Sequence, residues 1–378
     1  MARNLGVGIV GCGNISTTYF KFAPLFKGIE VRSCADINRA AAKAKAKEYG
    51  VRAESVDNLL EAEDVDIVVN LTIPAVHYEV SRAALDAGKH VYSEKPFVLS
   101  VKEGLDLKKR AARKELRVGS APDTFLGGSH QLVRDLIDKG KAGRITGGTC
   151  YVMSHGMEHW HPNPDFFFQP GAGPVLDVGP YYVTNLIQLI GPVKRVTALA
   201  ATPRAHRTIT NGPRSGQKVP VGTPTTIHSV LEFENGAVVT LNASWDVWAH
   251  GHAPMELYGE AGTVYVPDPN FFGGNVRYTT GASEVKKMPA WKHPFSVPNE
   301  KHGQGMMANY RTVGLADMAL AIQAGRPHRC SLELALHAVD VMTAILKSAE
   351  TGKFVAMRTT CERPAALGPK EARAMLAK

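Results

Sequence analysis

The feature that most constrains the fold lies at the N-terminus. An apolar run, Leu5–Val10, ends in Gly11-Cys12-Gly13-Asn14-Ile15-Ser16, and a helical pattern follows at once over residues 17–26. A strand that turns on Gly-x-Gly into a helix gathers free backbone N–H groups and the positive end of the helix dipole at one point, which suits a pyrophosphate. Gly11 makes the tight turn and Gly13 lets the backbone approach the ligand. The third position, Ser16, is small but not glycine. Gly-x-Gly also occurs in plain structural turns, so its weight comes from the strand before it and the helix after it. The alternation then repeats. Apolar runs at 31–35, 67–71, His90–Ser93 and 116–118 are separated by helical patterns at 38–49, 76–87 and Val101–Arg113. Strands alternating with helices predict a doubly wound parallel sheet of the α/β class, with right-handed crossovers.

After about residue 120 the pattern changes. A helix is expected over 126–139, followed by β-type runs at 145–152, 193–200, 226–232, 237–245 and 255–258. The turns Glu234-Asn235-Gly236 and Gly259-Glu260-Ala261-Gly262 read as hairpins, which predicts a large, mostly antiparallel sheet. Helical patterns close the chain at 305–324 and 332–350, and the Gly-, Pro- and Arg-rich segment 203–224 reads as a long loop. A chain of 378 residues suits two domains. The expected division is a nucleotide-binding domain over 1–122 and an α+β substrate-binding and oligomerisation domain over 123–378.

The second strand ends at Asp36, about 25 positions after Gly11. A carboxylate there accepts hydrogen bonds from ribose hydroxyls and repels a 2′-phosphate, favouring NAD over NADP. Arg39 nearby points the other way, and Asp36 also reads as an N-cap for the helix that follows. Glu94-Lys95-Pro96 sits at the C-terminal end of a parallel strand, where open α/β sheets bind ligands. Lys95 there can hydrogen-bond a reacting hydroxyl or stabilise alkoxide charge. A second cluster is Gly171-Ala172-Gly173-Pro174-Val175-Leu176-Asp177-Val178-Gly179-Pro180-Tyr181-Tyr182. Asp177 and Tyr181, one helical turn apart, either face the same cleft or cap and pack the helix. In a third cluster, His155, His159, Trp160 and His161 precede Phe166-Phe167-Phe168. Aromatic faces beside hydrogen-bonding groups suit a sugar ring. Plain packing is the alternative, and the spacing favours no metal.

Composition narrows the class. Hydrophobic residues are 44% and charged residues 21%, enough apolar material for real cores. The net charge is +9, but the basic runs at 43–47 and 108–114 have helical spacing and read as solvated helix faces, so no nucleic-acid partner is expected. A positive cleft does favour an anionic substrate. The five cysteines are scattered, odd in number and in no metal-ligand spacing, as in a reducing compartment. No apolar stretch reaches the roughly 18–20 residues of a membrane span. Met1-Ala2-Arg3-Asn4 runs straight into a strand with no secretory leader pattern. A cytoplasmic location with no membrane partner is expected.

The order Gly-x-Gly-Asn-Ile, Asp36, Thr72-Ile73-Pro74 with His77, Glu94-Lys95-Pro96 and Gly-x-Gly-x-x-x-Asp-x-Gly resembles the Gfo/Idh/MocA family, the relatives of glucose–fructose oxidoreductase and inositol dehydrogenase. The resemblance spans most of the chain. It implies a Rossmann domain and an open-faced sheet domain, with NAD(P) between them and Lys95 and Asp177 at the reacting hydroxyl. It also brings Thr72, Pro74, His77 and Glu94 to the cofactor, and Tyr182 to the substrate beside the histidine cluster. The family often has histidine where this chain has Tyr181, so Tyr181, Lys95 alone or another residue accepts the proton. The expected activity is NAD-dependent oxidation or reduction of a sugar or glycoside ring hydroxyl, most simply at carbon 3. The alternative is a glycosidase that oxidises carbon 3 transiently, eliminates the aglycone, adds water and reduces the ketone again. A non-catalytic NAD-binding regulator is a third. The open sheet needs cover, so a homodimer or homotetramer is expected.

Overall fold

The computed structural model describes residues 3–289 and 291–377, so Met1 and Ala2 of the leader reading lie outside the described residues. The first part of the chain runs β1 (Leu5–Val10), α1 (Ser16–Phe22), β2 (Ile29–Ala35), α2 (Arg39–Tyr49), β3 (Arg52–Glu54), α3 (Val56–Glu61), β4 (Ile67–Asn70), α4 (His77–Asp86), β5 (His90–Ser93), α5 (Val101–Arg113) and β6 (Val118–Ser120). The strands form one parallel sheet in the order β3-β2-β1-β4-β5-β6. The order reverses between β1 and β4, which opens a ligand crevice at their C-terminal ends. Caps start the helices where the sequence offers them. Asn38 accepts from the N–H groups of Ala40 and Ala41 and begins α2, so Asn38, and not Asp36, is the cap. Ser100 and Glu103 form a reciprocal capping box on α5.

The rest of the chain runs α6 (Gly128–Asp138), β7 (Ile145–Met153), α7 (Pro174–Asp177), α8 (Gly179–Ile190), β8 (Val193–Ala201), β9 (His206–Thr208), β10 (Lys218–Pro220), β11 (Thr226–Phe233), β12 (Val238–Ser244), β13 (Met255–Gly259), β14 (Gly262–Val266), β15 (Arg277–Thr280), β16 (Lys286–Lys287), β17 (Glu300–His302), β18 (Gly305–Met307), α9 (Val313–Ala324), α10 (Leu332–Thr351), β19 (Val355–Ala356) and α11 (Pro369–Met375). Nine strands make a mixed sheet, β16-β15-β14-β13-β7-β12-β11-β8-β19. All its pairs are antiparallel except β7 with β12. Alternate residues such as Val196, Ile227, Leu231 and Leu241 enter a core shared with α8 and α10. The other face leaves Leu199, Val230, Val238 and Tyr258 exposed.

Two expectations are corrected. Segment 203–224 is not a plain loop, because β9 and β10 pair within it as a hairpin. The helical pattern over 305–324 is helical only from Val313. Residues 305–307 instead pair with 300–302 around Gly303, which takes the left-handed φ of 57° that the turn needs.

Three core histidines, His130, His293 and His337, are each pushed down to about 4 by burial. An unfolded histidine titrates near 6.5, so between about 4 and 6.5 the unfolded chain binds more protons. Their contribution is complete above pH 6.5 and is lost as pH falls through 4, up to roughly 3 kcal/mol each. Buried Asp123, pushed up to about 6, works in the opposite sense, as one group against three. The urea midpoint is expected to fall from pH 6.5 downward, above the range where ordinary carboxylates titrate. A midpoint flat to pH 5 would refute this.

Candidate active site

Lys95 leaves the end of β5 and meets Asp177 across the boundary between the two sheets. Its Nζ donates to Asp177 Oδ1 at 2.8 Å and to the Asp177 carbonyl at 2.8 Å. An ammonium has three N–H bonds, so one is left to point into the cavity. Asp177 reaches this spot because it ends α7, which is launched by Gly173 at φ 89°; a Cβ there would press on Thr223 and Pro224 at about 3.1 Å. The Tyr181 ring, in the first turn of α8, lies 5.3 Å from Nζ and offers its face to the charge. Burial by itself would lower the Lys95 pKa. Asp177, Tyr181 and Glu94 outweigh burial and hold the ammonium above its ordinary range.

Glu94 is braced twice. The Tyr19 hydroxyl donates to its Oε1 at 2.9 Å, and the Lys95 backbone N–H to its Oε2 at 3.0 Å. A cavity of about 340 Å³ surrounds these groups and is walled also by Ile15, Thr72, Pro74, Phe166, Phe167 and Arg311. A second cavity of about 470 Å³ shares Thr72 with it and runs past Gly13 and Gly11 to Asp36 and Ile37. Gly11 has φ 103°, and a Cβ on it would meet the Leu71 carbonyl at 2.6 Å; a Cβ on Gly13 would meet nothing. The turn is therefore tight on its inner side and open on its outer side, as a pyrophosphate cradle needs. Asp36 accepts from the Cys12 N–H at 2.7 Å and the Asn38 N–H at 2.7 Å, which aims the carboxylate across the mouth. The exposed side chains of Ile37 and Ile73 flank that mouth and suit a flat aromatic base. Asn14 lies exposed beside the turn.

Several expected site residues lie elsewhere. His77 is buried, and both ring nitrogens face main-chain carbonyls, Pro96 at 2.8 Å and Thr72 at 3.0 Å. It ties together the loops that carry Thr72 and Lys95 and has no ring nitrogen left for a cofactor. Tyr182 is buried, with its hydroxyl on Asp268 at 3.1 Å, because helical spacing turns it away from its neighbour Tyr181. His155 and His159 line a different cavity altogether. His161 stands edge-on against Phe166 and Phe167 and braces the cavity wall from behind, and Trp160 packs edge-on against His161. Among the described residues no group of three or more His, Cys, Asp or Glu side chains is arranged to hold a metal.

Arg311 was not anticipated. It lines the cavity beside Tyr181, held at 3.3 Å by Asn270. The chain delivers it through Thr312, a β-branched residue at φ 88° that is pinned by Asp123 accepting from the N–H groups of Thr312 and Gly314. No local motif signals this, and the apparent helix over 305–324 conceals it.

Comparisons with known proteins match two stretches of the chain separately. A model described as an oxidoreductase family with an NAD-binding Rossmann fold matches residues 5–121, and the GFO/IDH/MocA C-terminal domain matches 130–265. An uncharacterised oxidoreductase of Schizosaccharomyces pombe is 25% identical over 233 residues, 56% of this chain and 62% of that protein. Levoglucosan dehydrogenase of Pseudarthrobacter phenanthrenivorans is 23% identical over 335 residues, 80% of this chain and 83% of that protein. The solved structure of a levoglucosan dehydrogenase with NADH and levoglucosan matches at TM-score 0.78 and 20% identity, covering 94% of this chain and 99% of that one.

Proposed function

This chain belongs to the Gfo/Idh/MocA family of oxidoreductases, and from that premise we propose that it oxidises or reduces a ring hydroxyl of a sugar or glycoside, at carbon 3, with NAD. The observation that carries the reading is Lys95, which spends two N–H bonds on Asp177 and keeps the third for a cavity adjoining the glycine cradle.

NAD, when bound, supplies the hydride acceptor or donor. Gly11, Gly13, Asn14 and Ile15 form the turn for its pyrophosphate, Asp36 the ribose partner, and Thr72, Pro74 and Glu94 the wall leading to Lys95. Because Lys95 is held as an ammonium, it acts first as a donor to the substrate oxygen and steadies alkoxide charge. In oxidation, Nζ passes a proton to Asp177 Oδ1 as it takes one from the hydroxyl. In reduction, Nζ protonates the carbonyl oxygen and is refilled from Asp177. Tyr181 covers the ammonium with its ring face, and Phe166 and Phe167 offer aromatic surface to the sugar. A glycosidase would need a base beside carbon 2, and His155 and His159 are not placed to supply it, since they line another cavity.

Incubation with NAD+ and a panel of glucosides, including para-nitrophenyl and sulfonated ones, tests the reading by following NADH and aglycone together. NADH rising in step with substrate loss supports it. Aglycone release with flat NADH would replace it with an oxidoreductive glycosidase, and no change in either would reject both. Asp36→Ala is expected to weaken NADH about tenfold or more, as for loss of a charged hydrogen-bond partner, and to admit NADPH. An unchanged preference would mean that Asp36 only braces Cys12 and Asn38.

No helix among the described residues is long and apolar enough to cross a membrane, and all five cysteines are buried and free. The free, buried cysteines support the proposal of a reducing, cytoplasmic compartment. The sheet face carrying Leu199, Val230, Val238 and Tyr258 suits a homodimer or homotetramer, which light scattering tests.

A further inference from the structure

The charged groups that wall the Lys95 cavity are matched within the chain, with one exception. Lys95 is paired with Asp177, and Glu94 accepts from the Tyr19 hydroxyl and the Lys95 N–H. Arg311, in the same wall, has no ion-pair partner among the described residues, and its side-chain hydrogen bonds go only to neutral groups. Nη2 donates to the carbonyl and Oδ1 of Asn270 at 3.3 Å, and Nη1 to Asn309 Oδ1 at 3.4 Å. These are long contacts, and a guanidinium also carries N–H on Nε and a second on Nη1. Nε is not among the unpartnered polar atoms that are closed to solvent, so this edge of Arg311 is open to a ligand.

The chain goes to some length to put a cation here. Thr312, next in sequence, is held at φ 88° by the two N–H bonds that Asp123 accepts from Thr312 and Gly314, a strained backbone for a β-branched residue. Burial opposes the charge on Arg311, and Tyr181, Asp123 and Glu94 outweigh it. Both carboxylates are already engaged elsewhere, Asp123 by main-chain N–H groups and Glu94 by Tyr19 and Lys95. A half-buried guanidinium held by amides is short of an anion at contact distance. The cofactor's pyrophosphate does not supply it, because the glycine cradle lies in the adjoining cavity, which Arg311 does not line. The anion therefore belongs to the substrate.

We propose that Arg311 selects a substrate with an anionic substituent, a carboxylate or sulfonate carried on the sugar, and binds that group while Lys95 meets the reacting hydroxyl. The inference rests on the reading of this cavity as a sugar oxidoreductase site. Tyr181, whose ring covers Lys95, stands between the two cations and spaces the acid group from the hydroxyl.

The test is calorimetric binding to the full chain with NADH present, where no hydride can leave the sugar and binding is read without turnover. The ligands are the methyl glucosides of both anomers, the matching methyl glucuronosides, and methyl glucosides with sulfonate in place of the 6-hydroxyl. At least one acidic series is expected to bind about tenfold or more tightly than the neutral one, the scale of a hydrogen bond to a charged group, and the tighter of the two identifies the acid. Arg311→Gln is expected to abolish that preference. Arg311→Lys, which keeps the charge and loses the planar fork, is expected to retain part of it, and it carries the test should the glutamine variant not fold. Neutral glucosides binding as tightly as both acidic series would overturn the proposal, as would an undiminished preference in either variant. Acidic sugars that bind with the expected preference but are not oxidised with NAD+ would uphold the role of Arg311 and count against the oxidoreductase reading instead.

Discussion

Lys95→Ala is expected to lower turnover about 100-fold or more while NADH binds as before, the loss typical of removing a group that handles the proton. The reason lies in how Lys95 is held. Its ammonium is clamped by the carbonyl and carboxylate of Asp177, under the Tyr181 ring, and it touches no part of the glycine turn. Alanine therefore removes the one N–H aimed into the cavity, and with it the path from substrate oxygen to Asp177, without altering the cradle at Gly11 and Gly13. Lys95→Arg separates charge from proton transfer, since a guanidinium keeps the charge but does not give up its proton at any ordinary pH. It is expected to recover part of the binding of substrate and little of the rate. Ordinary turnover in Lys95→Ala would remove Lys95 from the chemistry and leave Tyr181 or Arg311 to carry it.

Arg207→Met is expected to cost about 3–5 kcal/mol of stability, the range for breaking a buried ion pair from one side. Arg207 is 1% exposed, and it is held by Glu158, Asp246 and the Trp245 carbonyl, with the Phe168 ring 5.5 Å away. Asp246 is further anchored by the hydroxyls of Thr225 and Thr226, each at 2.7 Å. Methionine fills much of the volume but strands two carboxylates in a place built around a cation. The hairpin of β9 and β10, which carries Arg207, is expected to loosen first, so protease nicking near residues 203–220 should accompany the lower urea midpoint. A loss under about 1 kcal/mol would mean that water reaches the carboxylates, contrary to their burial.

Much of the N-terminal half was legible because its signals are local. β1 and β5 begin and end where their apolar runs do, and Asn38 and Ser100 start two of the expected helices. β3 and α3 escaped because three- and six-residue elements carry too few apolar positions for a period to show. In the C-terminal half the hairpin turns at 234–236 and 259–262 were readable from their glycines, and β11–β12 and β13–β14 pair around them. The pairing of β7 with β12 was not, since it is parallel and joins strands far apart in the chain.

The candidate site divides along the same line. Sequence by itself determined the glycine cradle, Asp36 at the end of the second strand and Lys95 at the end of the fifth, because a strand–turn–helix unit places these groups through its own backbone geometry. It also set Asp177 and Tyr181 four residues apart, which left open whether they share a cleft. Only the tertiary structure decided which of the aromatic and cationic residues meet them. Phe166, Phe167 and Arg311 enter the Lys95 cavity, whereas His155 and His159 fall behind a small core into another one. That sorting depends on how a nine-stranded sheet and its loops pack against the parallel sheet, and on the strained turn at Thr312. These contacts join segments distant in the chain, and no local periodicity encodes them.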